Sequence, residues 1–187
     1  TSFAPTHGDK WGGFTHSGIV SRSIRDTAYM YDSLFGFEVG DPYGVHYEKG
    51  SLIDALGKKE KLKIGFNHQT RIPVEISEEA KKAVMFNVKL CENLGHDVEE
   101  ATLEYDGLLL SRAFVIIISA HVTQMFKELK ELVGHNFKKK EVESTTRLFN
   151  YLGKTFSASD YTWARYTTQK IARSVMEQTN KYDVMIM

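Results

Sequence analysis

The sequence predicts an α/β protein with a mixed β-sheet flanked by helices. Three observations lead to this prediction: short apolar runs with the alternation of strands, a segment of helical spacing between two of them, and a final apolar run. Strand–helix–strand units of this size usually build parallel or mixed sheets covered by helices. The 187 residues fit one ordinary domain, so residues 1–187 are treated as a single domain.

The first third of the chain is predicted to hold a loop, a helix and a turn. Residues 1–20 are rich in Gly, Thr, Ser and His and predict a loop. Residues 22–35 carry apolar side chains at helical spacing, and Gly36 is the expected C-terminal cap. A turn is expected at residues 40–43, because Pro42 fixes its own φ and restricts the residue before it.

A strand, a helix and a second strand should follow. Residues 62–66 alternate as a strand does, and residues 96–101 form the second predicted strand. Between them Ser77 can cap a helix whose first turn holds Glu78 and Glu79, which favour the positive end of the helix dipole. Gly95 should end that helix.

The second half is predicted to be mainly helical. Residues 108–122 form the longest apolar stretch, which is shorter than the ~20 residues of a bilayer span. A buried helix is therefore expected, followed by further helices and a final strand near residues 184–187. The acidic residues of this region are expected on a solvated face; they are Glu99, Glu100, Glu104 and Asp106. The three lysines at 138–140 are expected at an exposed helix start.

Composition excludes several classes of protein. Lys+Arg and Asp+Glu both number 24, so the net charge is zero, which argues against partners such as nucleic acid or a membrane surface. Cys91 is the single cysteine, so an internal disulfide and a thiolate zinc site are excluded. Its place on the apolar stripe of the helix after Ser77 favours a packed thiol over a nucleophile.

Common catalytic motifs are absent from the sequence. No serine stands in a G-x-S-x-G or S-x-x-K pattern, and no glycine-rich phosphate loop occurs. The seven histidines never pair at helical spacing, so neither a metal nor another cofactor is predicted. A metal site assembled across distant loops stays open as an alternative.

The two ends favour a piece of a larger protein. The chain starts at Thr1 without an initiator Met or a signal peptide, so a cytoplasmic location is expected. It stops in the apolar run 184–187, which needs a paired neighbour to satisfy its backbone. The alternative is a short protein whose last strand closes its own sheet.

Several motifs become specific when they are taken together. Gly12-Gly13-Phe14-Thr15-His16-Ser17-Gly18 precedes Arg22 and Asp26, and Leu62-Lys63-Ile64-Gly65 follows. Leu90-Cys91-Glu92-Asn93-Leu94-Gly95-His96 comes next, and then Gly153, Ser157-Ala158-Ser159-Asp160-Tyr161 and Tyr182-Asp183-Val184-Met185. In this order, and over nearly the whole chain, they resemble the amidase signature family. Ile19 departs from the family pattern, which has a proline there.

This resemblance implies a fragment of the amidase-signature fold, the C-terminal part of an amidase domain. It implies an amidohydrolase that cleaves a small linear or cyclic carboxamide through a Ser–cis-Ser–Lys triad. A buried neutral lysine would relay a proton to activate the nucleophilic serine, and backbone N–H groups would stabilise the oxyanion. In the family the triad precedes the glycine-rich stretch, so it would lie upstream of Thr1. Residues 1–187 should therefore be inactive alone, and exposed sheet edges should favour a homo-oligomer.

The same resemblance suggests substrate-binding residues. The helix through His121 and Gln124 corresponds to a family helix that approaches the acyl pocket, although a core or surface role is the alternative for each. The A-type subunits of amidotransferases carry an arginine a few residues before the position of Gly153, which binds the carboxylate of glutamine. Counted back without a gap, that position falls on Phe149, although Arg147 lies near, and an aromatic residue there favours an uncharged amide. Leu90-Cys91-Glu92 and Trp11-Gly12-Gly13 resemble the bacterial branch that includes 6-aminohexanoate-cyclic-dimer hydrolases. The alternatives are a non-catalytic α/β binding domain and a glutamyl-tRNA amidotransferase A-type subunit.

Overall fold

The computed structural model describes residues 9–36, 39–40 and 50–187. The chain divides after Lys59 into two compact units. Three of the four residues of the turn expected at 40–43, namely residues 41–43, lie outside the described residues. His7 and His46 lie outside the described residues as well.

The first unit contains two helices, α1 (Ile24–Leu34) and α2 (Leu52–Ala55), and a 3-10 helix at Lys10–Gly13. The 3-10 helix interrupts the predicted loop. α1 begins after Ser23, whose side chain accepts the backbone N–H of Asp26. It ends at Leu34 because Phe35 is already extended, so the helix stops before Gly36, its expected cap. The prediction of a helix over this segment is confirmed.

Asp32 joins the two helices of the first unit. Its carboxylate accepts the backbone N–H of Leu52 at 2.7 Å and the hydroxyl of Ser51 at 2.8 Å. It also accepts the backbone N–H of Ile53 at 3.2 Å. The N–H groups of Leu52 and Ile53 lack a partner within α2, a four-residue helix that has little stability of its own. A side chain from α1 therefore caps α2.

The second unit contains a parallel three-stranded sheet among the described residues. Its strands are β1 (Lys63–Phe66), β2 (Asp97–Glu100) and β3 (Val184–Ile186), in the order β2–β1–β3. In the register of the central strand, Ile64 pairs with Val98 on one side and with Val184 on the other. The α/β prediction is confirmed, and so are all three predicted strands.

Helix α3 (Glu78–Asn93) connects β1 to β2 and packs against the sheet. The Ser77 hydroxyl accepts the N–H of Ala80, as predicted for an N-cap. Along the predicted stripe Val88 is buried, while Cys91 is only half-buried. Gly95 follows the helix with a φ of +90°, a conformation that glycine adopts without strain.

Three further helices pack together in the second unit: α4 (Gly107–Val133), α5 (Ser144–Leu152) and α6 (Ala158–Thr179). α4 packs against both α5 and α6. Its core contacts are apolar, and the cluster consists of Ala113, Ile116, Ile117 and Ala164 with Phe156 and Tyr161 against it. Small residues such as Ala113 and Ala164, both fully buried, let the helix backbones approach closely.

α4 extends past the predicted apolar stretch to Val133. With 27 residues it is long and apolar enough to cross a membrane by length and composition, and it is the one such helix found among the described residues. One third of its most apolar 18-residue window is buried inside the unit. That burial, and its packing on α5 and α6, agree with the predicted core helix.

Three of the acidic residues expected on a solvated face form specific hydrogen bonds or ion pairs. Glu99 accepts hydrogen bonds from the Lys181 ammonium and from the Tyr182 hydroxyl, both at 2.7 Å. Glu104 forms an ion pair with Arg71 at 2.9 Å, and Asp106 caps α4. The three lysines at 138–140 are exposed just before α5, as predicted.

Candidate functional site

The predicted substrate-binding residues lie in the helical part of the second unit. His121 is half-buried on α4, and Gln124 is exposed one turn later on the same helix. Phe149 is half-buried on α5. The three predicted residues therefore lie on two neighbouring helices, and their side chains differ in burial.

His121 is paired with Tyr161 of α6. Its Nε2 atom lies 3.2 Å from the Tyr161 hydroxyl, and the ring centroids are 6.0 Å apart with an interplanar angle of 55°. Either group can donate, because the imidazole tautomer decides which nitrogen carries the proton. The contact fixes the direction of the imidazole ring and joins α4 to α6.

Sequence reasoning did not identify Tyr161 as the partner of His121. It appears in the motif that carries the family resemblance, yet nothing local links it to a histidine 40 positions earlier. Only the packing of α6 on α4 brings the two rings together. Gln124, which is exposed, has its hydrogen-bond partner on its own helix, because its side-chain amide donates to Glu128 at 3.3 Å.

α5 approaches α4 most closely at Gly153. A Cβ atom at this position would overlap the carbonyl oxygen of Ser119 and the hydroxyl of Thr123. The Thr123 hydroxyl also donates to the Asn150 carbonyl at 3.1 Å, and Ser119 is completely buried. Gly153 is thus required by packing, and the close approach determines where Phe149 is held.

A serine pair occurs at the N-terminus of α6. The hydroxyls of Ser157 and Ser159 are 2.8 Å apart, and the Ser157 hydroxyl donates to Asp160 at 2.6 Å. Hydrogen bonds from Ser157 hold the pKa of the Asp160 carboxyl below its ordinary value. A carboxylate with a lowered pKa is a poor general base near neutral pH, and the reciprocal bonds of Ser157 and Asp160 form a capping box. This pair therefore serves the helix end.

No three His, Cys, Asp or Glu side chains of the described residues are arranged to hold a metal ion. The second unit has two cavities of about 400 Å³. One lies where β1 and β3 end and includes His68 and Met187 in its lining. The other lies between α4 and α5 and includes Thr123 and Asn150. Neither is lined by the three predicted residues.

Comparison with known proteins gives a consistent result. The family model described as Amidase matches residues 11–187. A putative amidase of Synechocystis sp. is 27% identical over 182 residues, which cover 96% of this chain. The A-type subunit of the glutamyl-tRNA(Gln) amidotransferase of Bacillus licheniformis is 29% identical over 105 residues, which cover 53% of this chain and 20% of that protein.

The fold has solved relatives. The structure of a 6-aminohexanoate cyclic dimer hydrolase superposes with a TM-score of 0.73 at 18% identity, covering 87% of this chain and 34% of that one. The chain spans 33% of the length of the Synechocystis protein. It therefore corresponds to about a third of these longer relatives.

Proposed function

The chain belongs to the amidase family, and on this premise we propose that the full-length protein hydrolyses a small linear or cyclic carboxamide. The match over residues 11–187 is the observation that carries the proposal, because it covers the whole second unit, most of the first unit and the helices that carry the predicted substrate-binding residues. The fold likeness to a 6-aminohexanoate cyclic dimer hydrolase supports a cyclic amide as one substrate to test.

The reaction we propose uses a Ser–cis-Ser–Lys triad supplied from outside residues 1–187. The serine pair of Ser157 and Ser159 is a poor substitute, because its described partner is the Asp160 carboxylate and it caps a helix. A proton relay of this kind needs a neutral lysine beside the bridging serine. We therefore expect residues 1–187 alone to be inactive.

The part of the reaction that we assign to this chain is substrate binding. His121 has a ring fixed by Tyr161, and its half-buried position suits a polar contact to an amide. Phe149 offers an apolar surface, and Gln124 offers an exposed amide one turn from His121. These three residues would form one wall of the acyl pocket.

The A-type subunit of an amidotransferase is the second candidate function. The similarity to the Bacillus licheniformis protein favours it. Phe149 argues against it, because the carboxylate of glutamine is normally bound by a cation that an aromatic ring cannot replace. A small amide without a carboxylate is therefore the better substrate class.

The deciding experiment is an amidase assay of the full-length protein beside residues 1–187. The substrates are a linear amide, the 6-aminohexanoate cyclic dimer and glutamine. We expect the full-length protein to hydrolyse one of the first two, and the shorter chain to hydrolyse none. Turnover by residues 1–187 would show that the nucleophile lies within them, and inactivity of the full-length protein on every substrate would favour a binding domain.

A matched pair of variants tests the pocket. His121→Asn removes the imidazole that Tyr161 orients, so KM should rise more than kcat falls. His135→Asn changes an exposed histidine in the segment after α4 and should leave both constants unchanged. Equal effects of the two substitutions would show that His121 is not part of the proposed pocket.

A further inference from the structure

A second concave feature of the helical region has a single sign of charge. The cavity of about 400 Å³ between the C-terminal half of α4, the following connection and α5 is lined by five cationic residues and, in its described lining, by no carboxylate. The cations are Lys127, Lys130, Lys138, Arg147 and Lys154. We call this feature the basic cavity.

Four separate segments supply these charges, and Lys154 comes from the residues that follow α5. Lys127 and Lys130 belong to α4, Lys138 to the connection, and Arg147 to α5. Cations near a helix C-terminus interact favourably with its dipole, which accounts for Lys130 in the last turn of α4. That effect does not account for cations from the other segments that meet at the same cavity.

The acidic residues of the same segments do not neutralise the cavity. Glu128 accepts from Gln124, and Glu141 accepts the backbone N–H of Lys138 at 2.8 Å. None of the acidic residues of these segments lines the cavity; they are Glu128, Glu131, Glu141 and Glu143. Like charges around one concave space repel one another and concentrate a positive potential there, so an anion entering it is attracted.

Specific side-chain contacts hold the segments that surround the basic cavity. The Arg147 guanidinium donates to the carbonyl oxygens of Lys139 and Val142, which fixes the connection against α5. On the other side, the rings of Phe126 and Phe137 meet edge to face with centroids 5.4 Å apart, and both line the cavity. The rigid arginine and the aromatic pair hold the lysine-bearing segments in place.

One buried polar group at the cavity lacks a partner. The side-chain oxygen of Asn150, a lining residue, is buried without a hydrogen bond. An unsatisfied buried polar atom is costly, and an amide can turn to present its NH₂ group instead. In the turned amide the NH₂ group would donate to a bound oxyanion.

We propose that the basic cavity binds a small molecule with several negatively charged oxygen atoms, as phosphate or carboxylate groups. The cavity volume suits a small ligand, and charge-assisted hydrogen bonds from the lysines would hold it. Arg147, Asn150 and Lys154 line the cavity, whereas Phe149, on the same helix as Arg147, does not. The oxyanion site is therefore separate from the proposed acyl pocket and does not depend on the proposed function.

The test is calorimetric titration of the full-length protein with pyrophosphate and, separately, with citrate at low ionic strength. Lys127→Gln/Lys130→Gln should raise Kd at least tenfold, and added NaCl should weaken binding. The control Lys89→Gln/Lys170→Gln makes the same charge change at exposed positions on α3 and α6 and should leave Kd unchanged. A preference for pyrophosphate or for citrate identifies phosphate or carboxylate as the bound group.

A second variant keeps the test decisive if the first one unfolds. Lys138→Gln/Lys154→Gln removes two charges from the other side of the basic cavity and should also raise Kd at least tenfold. The proposal would be overturned if the full-length protein bound neither pyrophosphate nor citrate. Equal weakening in the cavity and control variants would overturn it as well, because the net charge rather than the cavity would then explain attraction.

Discussion

Asp183 and Lys63 bind each other twice across 120 positions of sequence. The Asp183 carboxylate accepts the backbone N–H of Lys63 at 2.7 Å, and the backbone N–H of Asp183 donates to the Lys63 carbonyl at 2.8 Å. The two residues stand at the start of the paired strands β1 and β3. Their reciprocal bonds set the register in which Ile64 meets Val184.

Removing the Asp183 carboxylate should loosen this strand pair. Asp183→Ala leaves the Lys63 N–H without its charged acceptor, so the free energy of unfolding should fall by about 1–2 kcal/mol. Asp183→Asn keeps an acceptor and should lose less. Urea unfolding of the full-length protein measures both, with Asp97→Ala at the start of β2 as control. An effect of Asp97→Ala equal to that of Asp183→Ala would contradict the assigned role.

Gly153→Ala should destabilise the packing of α5 on α4. The added methyl group would overlap the Ser119 carbonyl, and overpacking of this kind costs about 1–3 kcal/mol. Gly50→Ala is the control, because nothing lies within 4 Å of a Cβ added there. Thermal unfolding of the two variants should separate them clearly. A melting temperature of Gly153→Ala equal to that of Gly50→Ala would show that the helices can part without cost.

Glu99 should show a pH-dependent contribution to stability. The hydrogen bond from Lys181, and to a smaller extent the hydrogen bond from Tyr182, hold the pKa of the Glu99 carboxyl below its ordinary value of 4.5. A depressed folded-state pKa means that the stabilisation is present above about pH 4.5 and is lost as the pH falls through the folded pKa. The stability difference between wild type and Glu99→Gln should therefore shrink on acidification.

The same carboxyl allows the two donors to be ranked. NMR titration of Glu99 should show a larger rise of its pKa in Lys181→Met than in Tyr182→Phe, because the Lys181 hydrogen bond is the larger cause. Lys82→Met removes an exposed lysine of α3 and should leave the Glu99 pKa unchanged. The reverse order of the first two variants would be inconsistent with the hydrogen bonds described.

The proposed substrate-binding role of Phe149 predicts that this residue influences which amide the full-length protein hydrolyses. Phe149→Arg introduces a cation on α5, so the ratio of kcat/KM for glutamine to kcat/KM for an uncharged amide should rise, by about tenfold or more for a formed ion-pair contact. Leu148→Arg adds the same charge at an adjacent exposed position. If both variants change the ratio equally, the effect comes from net charge and Phe149 lies outside the pocket.

Residues 1–187 alone should self-associate at micromolar concentration. Large apolar side chains are exposed on α5 and α6, among them Tyr151 at 66% and Met176 at 67%. Exposed apolar surface of this kind favours association. Sedimentation velocity across a dilution series measures it, with the full-length protein as the comparison. A monomer that unfolds cooperatively at these concentrations would disprove the expectation.

Local structure could be predicted from sequence because its causes lie within a few residues. The Ser77 cap, the acidic first turn and Gly95 together define α3. The alternation of residues 62–66 predicts β1, and the strand–helix–strand order then predicts the α/β class. The resemblance to the amidase family likewise depends on the order of short motifs, and the family match confirms it.

The tertiary structure alone decided which distant groups meet. His121 and Tyr161, Gly153 and Ser119, and Asp183 and Lys63 are joined by the packing of helices and strands, which local periodicity does not encode. The lysines at 127, 130, 138 and 154 are ordinary charged positions in the sequence and become one cavity only when α4 and α5 pack. The sequence by itself therefore determined the helices and strands and the family. The packing of helices and the pairing of strands determined which distant residues meet.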